Sequence, residues 1–292
     1  MKTIRINRSI SMSIIQDKRP SPIAGLWYSA NKEQLSQEID AYIKKVELPE
    51  LDGEVIALIA PHAGHRYSGQ TAAYAFKCVL GKSYDLVVIV SPFHSFHPSE
   101  LITTAHAAYV TPLGELPVDH DTLSLLEDKL KEKGQHITKI KKDNEHSLEI
   151  ELPFLQRALM GEFKLLPIMV HTKSQDIVEA LGCALAETIA GKPALLVAST
   201  DLSHFYPEEV ASRLDAFMLQ QMESFSPSGV LEAENSGTGF ACGAGALASV
   251  LWASKVLGAD TVKILHHSTS GEQTGDYSSV VGYGSAVVLR NQ

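Results

Sequence analysis

Three of the twelve histidine-bearing positions of this 292-residue chain share one design: a short apolar run, a small residue or proline, then histidine. His62 follows the first such run in IAPHAGHRYSG, His94 follows the second in SPFHSFHP, and Asp201 with His204 follow the third in STDLSHF. Imidazole both ligates transition metals and moves protons near neutral pH. Ligands of open α/β sheets bind outside the carboxyl ends of the strands, where these loops fall. Any one of the three histidines alone reads more readily as a surface or capping residue, but independent placement would seldom put one at the end of each of three buried strands.

Imidazoles converging at a strand edge can hold a divalent transition metal, and an anionic ligand completes such a set. Cys242 is the candidate. It lies in TGFACGAGALASV, at the expected N-terminus of an apolar helix, where unpaired N–H groups and the helix dipole favour a thiolate. Gly239, Gly243 and Gly245 around it permit close backbone approach. The alternative, an inert cysteine in a tightly packed glycine helix, stays open on spacing alone. Cys78 and Cys183 sit in apolar helical segments and read as core thiols, and no CxxC pair indicates a zinc clip.

In NEHSLEIELPFL (144–155) Glu145 adjoins His146, and His146 lies three residues before Glu149, so carboxylate and imidazole can share a helix face. Pocket work and a plain polar face fit that pattern equally. His65 and His97 are second choices for the same pocket. His106, His120, His136 and His171 have no comparable placement, and His266 and His267, adjacent on a strand, must point to opposite faces.

The elements that must position these residues are legible as periodicity. Apolar strand patterns run over Val55–Ala60, Leu86–Val90, 163–170 and Ala194–Ser199, with two more in VKILHH and SAVVLRN near the end of the sequence. Between them, amphipathic helices are expected over Asn31–Lys45, Gln70–Leu80, Asp121–Lys133, Ser147–Met160 and Ile177–Ala190, then in EEVASRLDAFMLQQM and GAGALASVLWASKVL. Asn31 and Gln34 are spaced as a capping box. Continuous apolar strands alternating with helices predict a single α/β domain: a mostly parallel central sheet with helices on both faces and antiparallel additions at its edges.

Apolar residues make up 45 % of the chain and charged residues 20 %, the composition of a globular protein. Twenty-five Lys and Arg against 34 Asp and Glu give a net charge of -9, which disfavours nucleic acid and anionic lipid as partners. Residues 1–20 read as a loose tail, with the domain over 21–292. The apolar stretch around Ile10 to Ile15 is too broken for a signal peptide, and no run of about eighteen apolar residues occurs, so a cytoplasmic protein is expected.

The segments AGLWYSA, IAPHAGHRYSG, SPFHSFHP, TPLG, EHSLEIELPFL, STDLSHF and ACGAGAL, in this order, resemble the Memo family, also called AmmeMemoRadiSam system protein B. The resemblance runs from about Ala24 to the end of the sequence. It implies a class III extradiol dioxygenase-like fold with metal ligands at His62, His94 and Cys242. It further implies His204 as proton handler, Asp201 as ligand or orienter, and Glu145 and His146 in support of the pocket. The related dioxygenases hold Fe(II), which makes iron the leading cofactor, while the sulfur ligand also accepts Cu or Zn. An iron-dependent oxygenase or redox protein acting on a small aromatic molecule is the leading expectation. A zinc or cysteine hydrolase and a non-enzymatic signalling, peptide-binding or metal-handling protein are the alternatives. The family's bacterial name implies a radical SAM protein and a further system member as partners. The chain has SPFH where Gly-Pro-Ser-His is usual and His65-Arg66 after PHAG, so Phe93 and Phe96 read as narrowing the pocket and Arg66 as meeting an acidic substrate group, or equally as plain packing and a solvated charge.

Overall fold

The computed structural model describes residues 17–291. Its strands are β1 (Lys18–Arg19), β2 (Glu54–Ala60), β3 (Leu86–Pro92), β4 (Leu101–Thr104), β5 (Ala108–Thr111), β6 (Gly114–Pro117), β7 (Thr138–Ile140), β8 (Lys164–Val170), β9 (Ala194–Ser199), β10 (His204–Tyr206), β11 (Thr261–Thr269) and β12 (Val280–Arg290). Its helices are α1 (Lys32–Lys45), α2 (His65–Lys77), α3 (His120–Glu132), α4 (Leu152–Ala158), α5 (Gln175–Ile189), α6 (Glu208–Glu223), α7 (Pro227–Ser236), α8 (Ala244–Val256) and α9 (Gly271–Thr274).

The central sheet runs β10-β12-β2-β9-β3-β8-β4-β7, with β11 paired to β12. Its core, β2-β9-β3-β8, is parallel, while β12 joins β2 and β4 joins β8 antiparallel. This is the predicted architecture. A small second sheet, β1-β5-β6, flanks it. Alternate residues of each central strand enter different cores. Ile59, Val88, Val90, Leu166 and Leu196 pack with α5 and α8, whereas Leu58, Val87, Ile89, Leu165 and Leu195 pack with α1 and α2. Both faces are therefore dry, which is why these strands read as continuous apolar runs. Among the described residues no helix is long and apolar enough to cross a membrane.

Several boundaries differ from expectation, each for a local reason. Asn31 caps α1, its side chain accepting the Gln34 amide at 2.9 Å, but the returning half of the expected capping box is replaced: the Gln34 side chain donates to Glu38 and the Asn31 amide to Ser29. Helix α2 begins at His65, not Gln70, because Gly64 serves as N-cap without any side-chain signal. The helix expected over Ser147–Met160 is shorter: a single 3-10 turn, Glu149–Glu151, leads into α4. Glu145 accepts the amides of His146 and Ser147 at 2.9 and 3.0 Å, and Pro153 opens the regular helix. Glycine sets the approach of α8 to the sheet. A Cβ on Gly243 would lie 2.5 Å from the Ser199 carbonyl, so only glycine lets the chain at Cys242 lie against the end of β9.

The loose tail expected over residues 1–20 lies outside the described residues as far as position 16, and from there the structure differs. Lys18 and Arg19 pair in parallel with Ala108 and Tyr109 of β5. Arg19 is buried, donates to Asp143 and Glu149 at 2.6 Å and to the Glu145 carbonyl at 2.7 Å, and stacks over the Tyr109 ring. Arg19→Ala would strand two buried carboxylates, so a loss of about 3–5 kcal/mol is expected in urea unfolding at neutral pH, with Arg19→Lys falling between. A loss below about 1 kcal/mol would show that the cluster relaxes into solvent.

Candidate metal site

The loops after β2, β3 and β9 meet at one end of the sheet, with the segment before α8 beneath them. Three donor atoms, one each from His62, His94 and Cys242, lie within 4.8 Å of one another. The His62 ring is buried, with Nε2 3.1 Å from the Cys242 sulfur and Nδ1 3.0 Å from Ser199 Oγ. Its amide donates to Asp201 Oδ1 at 2.7 Å, which ties the β2 loop to the β9 loop. His94 is held twice by Glu145: its amide donates to Oε2 at 2.6 Å and its Nδ1 lies 2.9 Å from Oε1. The two rings meet edge to face with centroids 5.3 Å apart. Fixing Nδ1 of each imidazole leaves Nε2 as the ligating atom, the usual arrangement for a metal histidine.

Electrostatics sharpen this picture. Burial, and then the nearby His94 and His146, push His62 well below the ordinary histidine range. For His94 burial acts in the same sense, but the Glu145 hydrogen bond and charge outweigh it and push the ring up. Burial likewise opposes charge on Glu145, yet His94 and the loop amides hold that carboxyl far below its usual range. Asp201 is pushed up to about 7 by burial, against the amides of His62 and Ala63.

Cys242 departs from expectation. It lies two residues before α8, its sulfur accepts the Asp201 amide at 3.2 Å, and desolvation followed by the Asp201 carboxylate pushes the thiol up. The helix dipole alone does not make this sulfur a thiolate. A cation on His62, His94 and Cys242 would, and two imidazoles with one thiolate suit iron, copper or zinc.

His62 and His94 form the floor of a cavity of about 540 Å³, and Cys242 lies behind His62 outside the lining. His146 and His204 line it beside Asp201, with Trp27, Tyr67 and Tyr283 on the walls. His146 stacks on His94 at 4.9 Å and tilts against Trp27 at 4.1 Å, and burial pushes it down to about 4. His204 Nδ1 lies 2.8 Å from the Leu202 carbonyl, leaving Nε2 uncommitted, and burial pushes this ring down as well. Leu26 and Phe205 stand at the mouth, 81 % and 76 % exposed, and Phe205 takes a left-handed φ of 64° at a bulge between β10 and β12.

Sequence proximity misplaces other candidates. His65 lies outside the cavity, its ring between Tyr28 and Phe154 and its Nε2 3.2 Å from the Ile150 carbonyl. His97 turns away and accepts the Ser99 amide. Phe93 is buried and Phe96 is exposed, and neither lines the cavity; Arg66 lies over the Tyr67 ring. The Ser147 hydroxyl donates to the Pro92 carbonyl at 2.9 Å and ties this segment to the end of β3. His266 and His267 do face opposite ways, to Thr71 and to Asp215. Sequence reasoning missed Ser199 and Glu151 behind His62, and Leu26 and Trp27 on the cavity wall, although all four lie inside segments already singled out.

The α/β fold carries His62, His94 and Cys242 together at its strand ends, and comparison with known proteins gives the family. Residues 19–287 match the family model described as Memo-like protein. MEMO1 family proteins of Nitrosopumilus maritimus and Thermotoga maritima are each 32 % identical, over 271 and 284 residues. They cover 91 % and 93 % of this chain and 98 % and 100 % of their own. A MEMO1 family protein of Pyrobaculum aerophilum is 30 % identical over 281 residues, covering 93 % and 99 %. The chain belongs to the Memo-like family. The crystal structure of an uncharacterized protein of Escherichia coli K12 aligns with a TM-score of 0.49 and 15 % identity over 79 % of this chain and 99 % of that one.

His65 gives a pH test independent of any ligand. Burial pushes it down to about 4, so the unfolded chain takes up this proton first as the solution is acidified. Its stabilisation is complete above about pH 6.5 and declines on the order of 3 kcal/mol as pH falls to 4. In urea unfolding, His65→Gln is expected to lose that part of the pH dependence; an unchanged slope would mean the ring is hydrated.

Proposed function

We propose that this protein is a mononuclear metalloprotein in which His62, His94 and Cys242 hold the ion, Fe(II) first and copper or zinc as alternatives. Its reaction is a redox or oxygen-dependent step on a small aromatic molecule. The observation that carries this reading is the convergence of three donors from three separate loops, each imidazole anchored through Nδ1. Bound iron or copper would supply redox chemistry, and zinc would supply Lewis acidity.

The chain's own groups support the rest. His204 is neutral at pH 7, donates through Nδ1 to Leu202, and offers Nε2 to take a proton from a substrate hydroxyl. Asp201 orients the His62 loop through its amide. Trp27, Tyr67 and Tyr283 form flat walls, and among the described residues no lysine or arginine lines the cavity, which favours a ring over a free anion. A peptide side chain of the same chemistry is the alternative occupant.

The 3.1 Å approach of His62 Nε2 to Cys242 Sγ supports a second reading, a cysteine-histidine hydrolase. The raised thiol weighs against it. Alkylation of Cys242 that metal blocks favours the ligand role, whereas metal-independent turnover abolished by Cys242→Ser favours the nucleophile.

Metal analysis of anaerobically purified protein is expected to find near-stoichiometric iron, lost in His62→Ala and in Cys242→Ala. Zinc in its place would redirect the reading to hydrolysis, and copper to metal handling. His204→Ala should keep the metal while lowering O2 uptake with phenolic compounds about 10²–10⁴-fold. Metal-loaded wild type that consumes no O2 with any phenol would sink the oxygenase reading.

A further inference from the structure

The Ser199 hydroxyl makes three close contacts: His62 Nδ1 at 3.0 Å, Glu151 Oε1 at 2.8 Å and the Ser147 carbonyl at 2.6 Å. A hydroxyl donates one proton and accepts through two lone pairs. The Ser147 carbonyl can only accept, so a hydrogen bond there takes the Ser199 proton. The remaining contacts are then hydrogen bonds only when Glu151 and His62 each bring a proton of their own.

The other arrangements fail by the same count. If Ser199 donates to a Glu151 carboxylate, two oxygens face each other at 2.6 Å with no hydrogen between them. If it donates to His62 Nδ1, that clash persists and the ring proton of a neutral His62 moves to Nε2, towards Cys242.

We propose that Glu151 is carried as a neutral acid and that, through Ser199, it fixes His62 in the Nδ1–H tautomer, presenting the Nε2 lone pair to the candidate metal site. Glu151 and Ser199 are positioning residues, and their effect on metal affinity rests on the metalloprotein reading. Glu151 is 1 % exposed and its Oε2 has no hydrogen-bond partner among the described residues, a poor setting for a carboxylate. Desolvation holds its carboxyl well above the usual range; the Ser199 contact acts against this and the Asp201 charge adds to it. The two candidate ligands are thus anchored differently: His94 by an ionised carboxylate, and His62 by a hydroxyl backed by a neutral acid. An ionised partner makes an imidazole the stronger donor, so the floor of the pocket has one stronger and one weaker nitrogen ligand.

The test uses the full chain, first without metal. Infrared spectroscopy is expected to show a protonated carboxylic acid band at pH 7 that Glu151→Gln removes, and long-range ¹⁵N correlation to show the His62 proton on Nδ1. In Ser199→Ala the two tautomers should mix. Titration with Co(II), followed by its thiolate charge-transfer band, should then separate the variants. Ser199→Ala and Glu151→Ala are expected to weaken binding about 10–100-fold. Glu151→Gln, whose amide donates to Ser199 as the acid does, should bind like wild type, and circular dichroism checks that each variant is folded. A His62 proton on Nε2, no acid band lost in Glu151→Gln, or Glu151→Gln as weak as Glu151→Ala would each overturn the inference. Wild type that binds no Co(II) would remove the metalloprotein reading, while the infrared and ¹⁵N results would still decide the state of Glu151.

Discussion

Loops that leave the ends of parallel strands have no ladder to satisfy their amides, and a buried amide without a partner is costly. Here carboxylates from elsewhere in the chain take the place of the ladder. Asp201 accepts the amide of His62, and Glu145 accepts those of His94, His146 and Ser147. Asp143 in turn accepts the Glu145 amide and the Arg19 guanidinium. The His62 and His94 loops are each held by a carboxylate of another loop, while Asp143 and Glu145 also accept amides of their own loop. The histidines are therefore aimed by the same bonds that keep the loops in place, and the far end of this chain of contacts is the short strand at Arg19.

That arrangement concentrates unlike titration behaviour in a small volume. Glu145 is held ionised by amides and His94, whereas Glu151 and the Cys242 thiol are pushed toward their neutral forms by desolvation. The difference lies in the number of donors around each group and not in depth alone. A carboxylate with four N–H neighbours stays charged in the interior, and one with a single serine does not.

The central sheet was readable because strands dry on both faces are unbroken apolar runs. The edge was not: LITT, AYVT, GELP and TKI mix polar and apolar residues, and their pairing comes from neighbours distant in sequence. Helix α7 was not expected, since its short sequence holds Pro227 and Gly229, although proline suits a first helical turn. In the site, His62, His94, Asp201 and His204 were visible because strand ends place them. Cys242 was visible by residue type and its glycines. His65 and His97 show the limit of that logic, since three residues along a loop or helix start turn a ring elsewhere. Glu151 and Ser199 gave no signal, one resembling a polar helix face and the other a small residue closing a strand.

Floor and mouth of the cavity have separate origins in the chain. The donors sit on loops fixed by the parallel sheet, while Leu26 comes from the segment before α1 and Phe205 from the bulged edge strand β10. The left-handed backbone at Phe205 belongs to the bulge, whichever non-glycine side chain stands there. Exchanges at these two positions alter what can enter without disturbing the donor set. The scaffold is thereby modular: the rim can be rebuilt by substitution while the cluster of His62, His94 and Cys242 beneath it keeps its arrangement.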